Sequence, residues 1–344
     1  MAMRRYFQPS SGLRPRAGRA LAVLGVAIAA VTVGRIALPR SGASGFTLLP
    51  LAAGSRVSPD LAERAGRAVR VAIRAQDFIR SARQAEGVSA GPEAQPDPSG
   101  MIGDELTPLM TTLGSLEAKR ISTNPEWARA LTVRMGRAGV RKGAVVAAGF
   151  SGSFPALNLA TMAACQALEA DLVAVSSVTA SSWGANQAGF TWPEMEARLV
   201  RAGLLRRATI AVSAGGSGDR ALDLEPDGRA LAERIQIQSA AELGAVSLRP
   251  DSLSASIQQR LDLYRQAAGG RSIVLYVNVG GTEASLGESA AVLRLRSGFI
   301  AGVPFDFSSS RGLMARFAER GVPVLTLLNV RDLSVRWSVA LAGR

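Results

Sequence analysis

Short apolar runs alternate with stretches of helical periodicity over the second half of the chain. The runs are rich in valine, alanine and isoleucine, as buried strands are, and the stretches between them repeat apolar positions every three or four residues. This alternation predicts an α/β fold in which helices flank an open, mostly parallel sheet. Strands are predicted at 144–149, 171–177, 208–213, 272–279 and 322–328, and helices at 155–168, 192–203, 226–244, 252–268 and 311–320.

Two further helices are predicted before the first strand. The segment 58–87 is amphipathic, with Ser58 as its cap and Pro59 at its first position. The stretch 88–100 contains several Pro and Gly residues and few apolar ones, which predicts a linker. The second helix is predicted within 123–139, where a capping residue opens the pattern and a glycine closes it.

An uninterrupted apolar run occupies 20–34, near the N-terminus. It is short for a span of about twenty residues, but snorkelling of Arg35 and the apolar 36–38 extend it. Five arginines precede the run, and the positive-inside rule then keeps the N-terminus in the cytoplasm and exports the rest. We predict an uncleaved, single-pass signal anchor in the cell membrane, with a cleaved signal peptide as the alternative. The predicted domains are a cytoplasmic tail and signal anchor at 1–44, a juxtamembrane helix and linker at 45–100, and an extracytoplasmic α/β domain at 101–344.

The composition narrows the possible chemistry. The chain has no histidine and a single cysteine, Cys165, so the commonest general base and an intramolecular disulfide are both excluded. The formal net charge is +13, and seven arginines without an acid in 1–44 supply +7 of it. The remaining positive charge does not form a basic patch interleaved with aromatic residues, which is the pattern of nucleic-acid binders. We therefore expect no nucleic-acid partner. No metal site and no cofactor are predicted.

Four loops that follow predicted strands are rich in glycine, serine, threonine and asparagine. They lie at 149–153, 176–186, 213–219 and 278–287. Loops at the carboxyl ends of parallel strands bind ligands, and glycines and helix N-termini there present N–H groups to anions. We therefore predict a site for a carboxylate or a phosphate. The predicted ligand-binding residues are Ser153, Asn158, Ser177, Ser181, Asn186, Ser213, Gly215, Asp219, Asn278, Gly280, Gly281 and Thr282.

Each loop also has an explanation that needs no ligand. Ser153 can cap the helix that follows it, 213–219 can be a simple turn, and Trp183 can be a packing residue. The loops lack the lysine of a P-loop, and no G-x-G-x-x-G motif follows a predicted strand. Nucleotide binding therefore has little support.

The sequence GFSGS at 149–153 is close to the G-x-S-x-G nucleophile elbow, with Ser153 in place of the last glycine. Without histidine, a lysine is the usual substitute for the base. The chain has two lysines, and Lys142 precedes the first strand, at the opposite end of the predicted sheet. Ser151 with Lys119 as its base is therefore a candidate catalytic pair. Anion binding without covalent chemistry and a purely structural role are the alternatives.

Several ordered motifs together resemble a known family. They are LGSLEAKRISTNPEWA (113–128), GFSGSFPALNLA (149–160), SSVTASSWGAN (176–186), TWPEME (191–196), SAGGSGD (213–219) and YVNVGG (276–281). The set resembles the poly-gamma-glutamate system proteins, which are associated with bacterial biosynthesis of this capsule polymer. The family has no established activity, so the resemblance implies a pathway and not a mechanism.

The resemblance implies a membrane-anchored component of poly-gamma-glutamate synthesis, export or processing. Such a component would hold a glutamyl unit or a polymer end and work with other subunits of the synthesis and export machinery. Two classes of protein remain open within that pathway. One is a serine-dependent amidohydrolase or gamma-glutamyl transferase that uses Ser151 with Lys119, and the other is a non-catalytic assembly or polymer-handling subunit. An unrelated anchored hydrolase is a third alternative.

Overall fold

The computed structural model describes residues 57–93, 95–300 and 311–339. They form a seven-stranded sheet with flanking helices, which confirms the predicted α/β fold. The strands are β1 Val145–Phe150, β2 Asp171–Ser177, β3 Thr209–Ser213, β4 Val246–Ser247, β5 Ile273–Val279, β6 Gly298–Ile300 and β7 Val324–Leu327. The helices are α1 Pro59–Glu86, α2 Leu116–Ser122, α3 Glu126–Arg137, α4 Pro155–Leu168, α5 Trp192–Arg201, α6 Pro226–Leu243, α7 Leu253–Ala268, α8 Glu283–Leu286, α9 Leu313–Glu319 and α10 Val330–Trp337.

The central strand, β1, shows how the sheet is covered on both faces. Successive side chains of a strand point to opposite faces. Val146, Ala148 and Phe150 pack in one core cluster with residues of α1, α3, α4 and α5. Val145 and Ala147 pack in another cluster with residues of α7 and α9. A strand that is buried on both faces reads as a continuous apolar run, and this is why the sequence pattern located β1.

The sheet has the strand order β4-β3-β2-β1-β5-β7-β6, and every neighbouring pair is parallel except β6 with β7. From β1 the chain proceeds outward on one side to β4, and then crosses to β5 on the other side. This reversal leaves a crevice at the carboxyl ends of β1 and β5, where ligands bind in open α/β sheets.

The register brings the strand ends together as the sequence predicted. Gly149 lies beside Asn278 across the β1–β5 pair, and Ser177 lies beside Ser213 across the β2–β3 pair. Ser151 follows β1 directly. The loops after β1, β2, β3 and β5 therefore share one edge of the sheet.

The helix predicted at 58–87 forms as α1. The Ser58 hydroxyl accepts a hydrogen bond from the Leu61 N–H, Pro59 occupies the first turn, and Gly87 ends the helix in the left-handed conformation. Its buried face, which includes Ala72 and Ile79, packs in the same core cluster as residues of α3 and α4. The apolar side of the helix is thus explained by packing against the α/β layers.

Membrane insertion stays a prediction. The apolar run 20–34 lies outside the described residues, and so does the rest of the predicted tail. In 57–93, 95–300 and 311–339, no helix combines the length and the apolar character that a membrane span requires.

The structure contains three helices and two strands that the sequence analysis does not predict. The helix predicted within 123–139 forms as α3, directly after Pro125, and the additional helices are α2, α8 and α10. The sheet also gains β4 and the antiparallel β6, which have two and three residues and carry no recognisable apolar run.

Candidate functional site

A cavity of about 450 Å³ opens at the carboxyl edge of the sheet. Half of its lining residues carry a hydroxyl group, and its charged residues are Lys119, Asp223 and Glu283. We call it the hydroxyl cavity. Its size is in the usual range for small-molecule sites. The hydroxyl-bearing residues are Thr111, Thr112, Ser115, Ser151, Ser153, Ser177, Thr179, Ser181, Ser217 and Thr282.

The turn after β1 is held by contacts with the turn after β5. The Ser151 N–H donates to Val279 O at 3.2 Å, and Asn158 Nδ2 donates to Ser151 O at 2.9 Å. Gly280 has φ +84°, and a Cβ added there would lie 2.8 Å from Ser151 Cβ. Only glycine permits this approach, so the two turns form one rigid wall of the cavity. Within it, Ser151 Oγ accepts the Ser153 N–H at 3.1 Å.

The hydroxyl of Ser153 joins two loops. Its Oγ accepts the Ser181 N–H at 3.1 Å. The N-cap of α4 is Phe154, and no side chain caps that helix. The interpretation of Ser153 as a helix cap is therefore wrong, because the hydroxyl bonds to the loop after β2 instead.

Lys119 is the buried cation of the cavity. It projects from α2 with 2% of its surface exposed. Its Nζ lies 2.7 Å from Ser181 Oγ, donates to the Ser153 carbonyl, and sits 4.2 Å from the centre of the Phe154 ring. Burial without a carboxylate partner lowers the pKa of Lys119 from its ordinary value of 10.5 to about 7. Lys119 is therefore partly neutral near pH 7.

Ser151 and Lys119, the candidate catalytic pair, both line the cavity, but no hydrogen bond joins them. Across the described residues, the side-chain hydrogen bonds of Lys119 go to Ser153 and Ser181, and none goes to Ser151. The pairing of Ser151 with Lys119 stays a prediction, and the hydroxyl in contact with the lysine is that of Ser181.

Behind the cavity lies a buried charged network at the end of β3. Ser177 Oγ is 3.1 Å from Ser213 Oγ, and Ser213 Oγ donates to Asp219 Oδ1 at 2.8 Å. Arg260 pairs with Asp219, with Nη2 2.7 Å from Oδ2. Of these four residues, Ser177 lines the cavity. Arg260 and the surrounding hydroxyls occupy the Asp219 carboxylate, so it supports the loop after β3 and does not face a ligand.

Other predicted residues hold the loops in place rather than line the cavity. Asn186 accepts the Asp104 N–H at 3.1 Å and donates to its carbonyl at 2.8 Å. Asn278 Nδ2 donates to Gly280 O at 2.9 Å. Gly215 has φ +80°, and a Cβ there would lie 2.5 Å from Thr179 Oγ1. The two asparagines and Gly215 therefore position the walls of the cavity and do not line it.

The loop after β5 supplies an unused donor. Gly281 and Thr282 both line the cavity. The Thr282 hydroxyl oxygen is buried, and no group in the described part of the chain hydrogen-bonds to it. A buried hydroxyl without a partner costs free energy, so a ligand that bonds to it recovers that cost.

One wall of the cavity was not predicted. The segment 111–115, which precedes α2, runs beside the loop after β2: the Thr111 N–H donates to Ala180 O at 2.9 Å, and the Ser182 N–H donates to Thr112 O at 2.9 Å. We call it the 111–115 wall. It belongs to no strand of the sheet, and its pairing partner lies about seventy positions away, so no local pattern predicts it.

Two carboxylates complete the cavity. Asp223 Oδ1 accepts the Ser217 N–H at 2.9 Å, and Glu283 Oε2 accepts the Gly218 N–H at 2.7 Å. In the described residues, the second oxygen of each carboxylate makes no hydrogen bond. The cavity thus offers hydroxyl donors and a lysine together with carboxylate acceptors, and can bind a ligand that has both acceptor and donor groups.

Comparison with known proteins finds no matching family model, curated protein or solved structure. The resemblance to the poly-gamma-glutamate system proteins therefore stays a prediction. Five of its motifs nevertheless meet at the hydroxyl cavity, although they are scattered along the sequence. Each of 113–128, 149–160, 176–186, 213–219 and 276–281 contributes lining residues.

Proposed function

We propose that this chain binds a γ-glutamyl unit in the hydroxyl cavity. It would do so as a membrane-anchored component of bacterial poly-gamma-glutamate synthesis, export or processing. The observation that carries the proposal is the convergence of the motifs on one polar cavity of about 450 Å³ with a buried lysine. That volume is in the usual range for small-molecule sites and accommodates the end of a polymer.

Two hydroxyl groups support recognition of a carboxylate. The oxygens of Ser151 and Ser153 already accept backbone N–H groups, so each hydroxyl proton is available to a ligand. Hydrogen bonds to a charged group contribute about 1.5–3 kcal/mol each. In this proposal the pair binds a carboxylate of the glutamyl unit, and the unpartnered Thr282 hydroxyl is a third donor.

The carboxylates support recognition of the nitrogen end of the same ligand. A γ-glutamyl residue carries a free carboxylate together with an amine or amide N–H. The uncommitted oxygens of Asp223 and Glu283 are acceptors for such N–H groups. A simple dianion such as phosphate has no use for these acceptors and would be repelled by them, so the charge pattern favours an amino-acid ligand.

The cellular setting of the proposal comes from the N-terminal sequence. The apolar run 20–34 with its preceding arginines would anchor the chain and export the α/β domain. Poly-gamma-glutamate is exported from the cell, and an exported cavity could meet the growing or finished polymer there. Other subunits of the machinery would be its partners at the membrane.

Calorimetric titration of the purified full-length chain in detergent with γ-linked triglutamate tests the proposal. We expect saturable binding at one site, and Ser153→Ala should weaken it by roughly ten- to a hundredfold because one hydrogen bond to a charged group is lost. Ser272→Ala is the matched control, since Ser272 is exposed at the opposite end of the sheet, before β5. The proposal is wrong if the triglutamate does not bind, or if both variants bind as the wild type does.

A further inference from the structure

We propose that Ser181 Oγ is a nucleophile and Lys119 Nζ its general base, and that together they cleave an amide bound in the hydroxyl cavity. The inference rests on the proposed function, because the amide would be that of the γ-glutamyl ligand. It assigns chemistry to a serine other than Ser151, which the nucleophile-elbow pattern had favoured.

The first support is the contact itself. Ser181 Oγ lies 2.7 Å from Lys119 Nζ, within the range at which a general base takes a proton from a nucleophile. Both residues line the cavity, and they are 8% and 2% exposed. In the described residues no other serine hydroxyl contacts a lysine.

The second support is the state of the lysine. Its pKa is lowered to about 7 by burial, so the neutral amine is well populated at neutral pH. A neutral amine has two N–H donors and one lone pair. The Ser153 carbonyl accepts one N–H, which leaves the lone pair free to accept the Ser181 hydroxyl proton. The Phe154 ring, 4.2 Å from Nζ, packs against the amine and stabilises its charged form after proton transfer.

The charged groups around this lysine are few. Asp223 and Glu283 lie on the cavity walls, and the ion pair of Arg331 with Glu117 lies beside Ser115 at the end of α10 that meets α2. None of them contributes to the lowered pKa, whose cause is burial. A change in the charge of Lys119 therefore follows its own protonation and not that of a neighbouring acid.

The third support is the backbone beside the nucleophile. A Cβ added to Gly114 would lie 3.0 Å from Ser181 Oγ and 2.6 Å from Ser182 O, so the chain approaches the hydroxyl as closely as only glycine allows. In the described part of the chain, the N–H groups of 112–115 donate no hydrogen bond. A developing oxyanion requires free N–H groups next to the nucleophile, and in this proposal the backbone of 112–115 supplies them.

The proposed reaction needs no reactant other than the bound amide and water. Ser181 Oγ attacks the amide carbon and its proton passes to Lys119 Nζ, while the carbonyl electrons move to oxygen. The C–N bond then breaks, and the leaving amine takes the proton from Lys119. Water attacks the acyl-serine and gives a proton to Lys119, which returns it to Ser181 as the C–Oγ bond breaks. The sum is hydrolysis of one amide to a carboxylic acid and an amine.

Labelling with a fluorophosphonate tests the inference on the full-length chain. This reagent phosphonylates an activated serine with loss of fluoride, and it needs no glutamyl group. We expect one adduct by intact mass, located at Ser181 by peptide mapping, with no adduct in Ser181→Ala. Lys119→Met should slow labelling by about 10²–10⁴-fold. Ser272→Ala and Lys142→Met, at exposed positions away from the cavity, should label at the wild-type rate.

A second measurement uses the wild-type chain and so does not depend on a variant that folds. The labelling rate should rise about tenfold for each pH unit below the Lys119 pKa and level off above it. The absence of an adduct, an adduct at Ser151 instead, or a rate that Lys119→Met leaves unchanged would overturn the inference.

The two proposals fail separately. If Ser181 is labelled while triglutamate does not bind, the nucleophile stands and the glutamyl ligand is wrong. If triglutamate binds in the cavity while Ser181 is never labelled, the protein is a binding component and the nucleophile is wrong.

Discussion

Arg260 and Asp219 form an ion pair in which each side chain is 1% exposed and Nη2 lies 2.7 Å from Oδ2. Two charges this deeply buried are tolerated because each satisfies the other and because the hydroxyls of Ser213 and Ser256 complete the carboxylate's hydrogen bonds. The pair fixes the loop after β3 behind the hydroxyl cavity.

Asp219→Ala should therefore be strongly destabilising. Removal of one partner leaves a buried, uncompensated guanidinium, at a cost of about 3–5 kcal/mol in the free energy of unfolding. Denaturant unfolding of the full-length chain measures this change. Asp251→Ala is the control, because Asp251 is exposed and its contact with Arg220 uses the backbone carbonyl. A loss below about 1 kcal/mol, the level of a surface ion pair, would contradict this role of the pair.

The lowered pKa of Lys119 predicts a pH dependence of stability. Below pH 7 the buried amine is charged in the folded state, and the folded state bears the full free-energy cost of burying that charge. Between pH 7 and 10.5 the unfolded chain binds a proton that the folded chain does not, so stability rises with pH. From pH 6 to pH 9 the wild type should gain roughly 2–3 kcal/mol relative to Lys119→Met.

Denaturant unfolding of both chains at several pH values measures that gain. Lys142→Met is the matched control, because the Lys142 side chain is 79% exposed and should give no such dependence. Parallel stability curves for the wild type and Lys119→Met would mean that Lys119 keeps an ordinary pKa.

Gly114→Ala should damage the cavity more than the fold. The added methyl group meets Ser182 O at 2.6 Å, so the 111–115 wall must move away from the loop after β2. We expect at least a tenfold loss of triglutamate affinity, about 1.4 kcal/mol, with an unchanged far-ultraviolet spectrum. Gly66→Ala in α1 is the control, since the nearest atom there is 3.5 Å away on the flexible Arg70 side chain. An unchanged affinity of Gly114→Ala for triglutamate would mean that the 111–115 wall is not part of the binding site.

The charge asymmetry around 20–34 predicts the topology of the chain. A reporter that is active only in the cytoplasm should be silent when fused after Arg344 and active when fused before Met1. An active C-terminal fusion would contradict the prediction. With a silent N-terminal fusion it would mean the reverse orientation, and with an active one it would mean that the chain does not span the membrane.

The sequence predicted the parts of the fold that local patterns determine. Buried parallel strands such as β1 and β5 are continuous apolar runs, and their bounds were predicted to within one residue or so. The strands β4 and β6 are too short to show a sequence pattern. They form by pairing with a neighbouring strand at the two edges of the sheet. The capping residue at 123 or 124 predicted the start of α3 to within a few residues, whereas the seven-residue α2 was not predicted.

The candidate site was predictable only in part, for a similar reason. Loops after parallel strands must share an edge, so Ser151, Ser153, Ser177 and Ser181 could be grouped from the sequence. Which hydroxyl contacts Lys119 depends on how α2 and the 111–115 wall pack against the loop after β2. Packing between segments that are distant in sequence produces no periodic sequence pattern. The contact of Lys119 with Ser181 could therefore be identified only from the structure.

The most direct test of a glutamyl ligand in the hydroxyl cavity uses the two lysines of the chain, Lys119 and Lys142. Full-length protein labelled with ¹³C at the lysine ε carbon should give two signals, and Lys119→Met identifies the one from the cavity. We predict that γ-linked triglutamate shifts the Lys119 signal saturably and leaves that of exposed Lys142 in place. A Lys119 signal that does not move at saturating triglutamate, or a shift confined to Lys142, would contradict binding in this cavity.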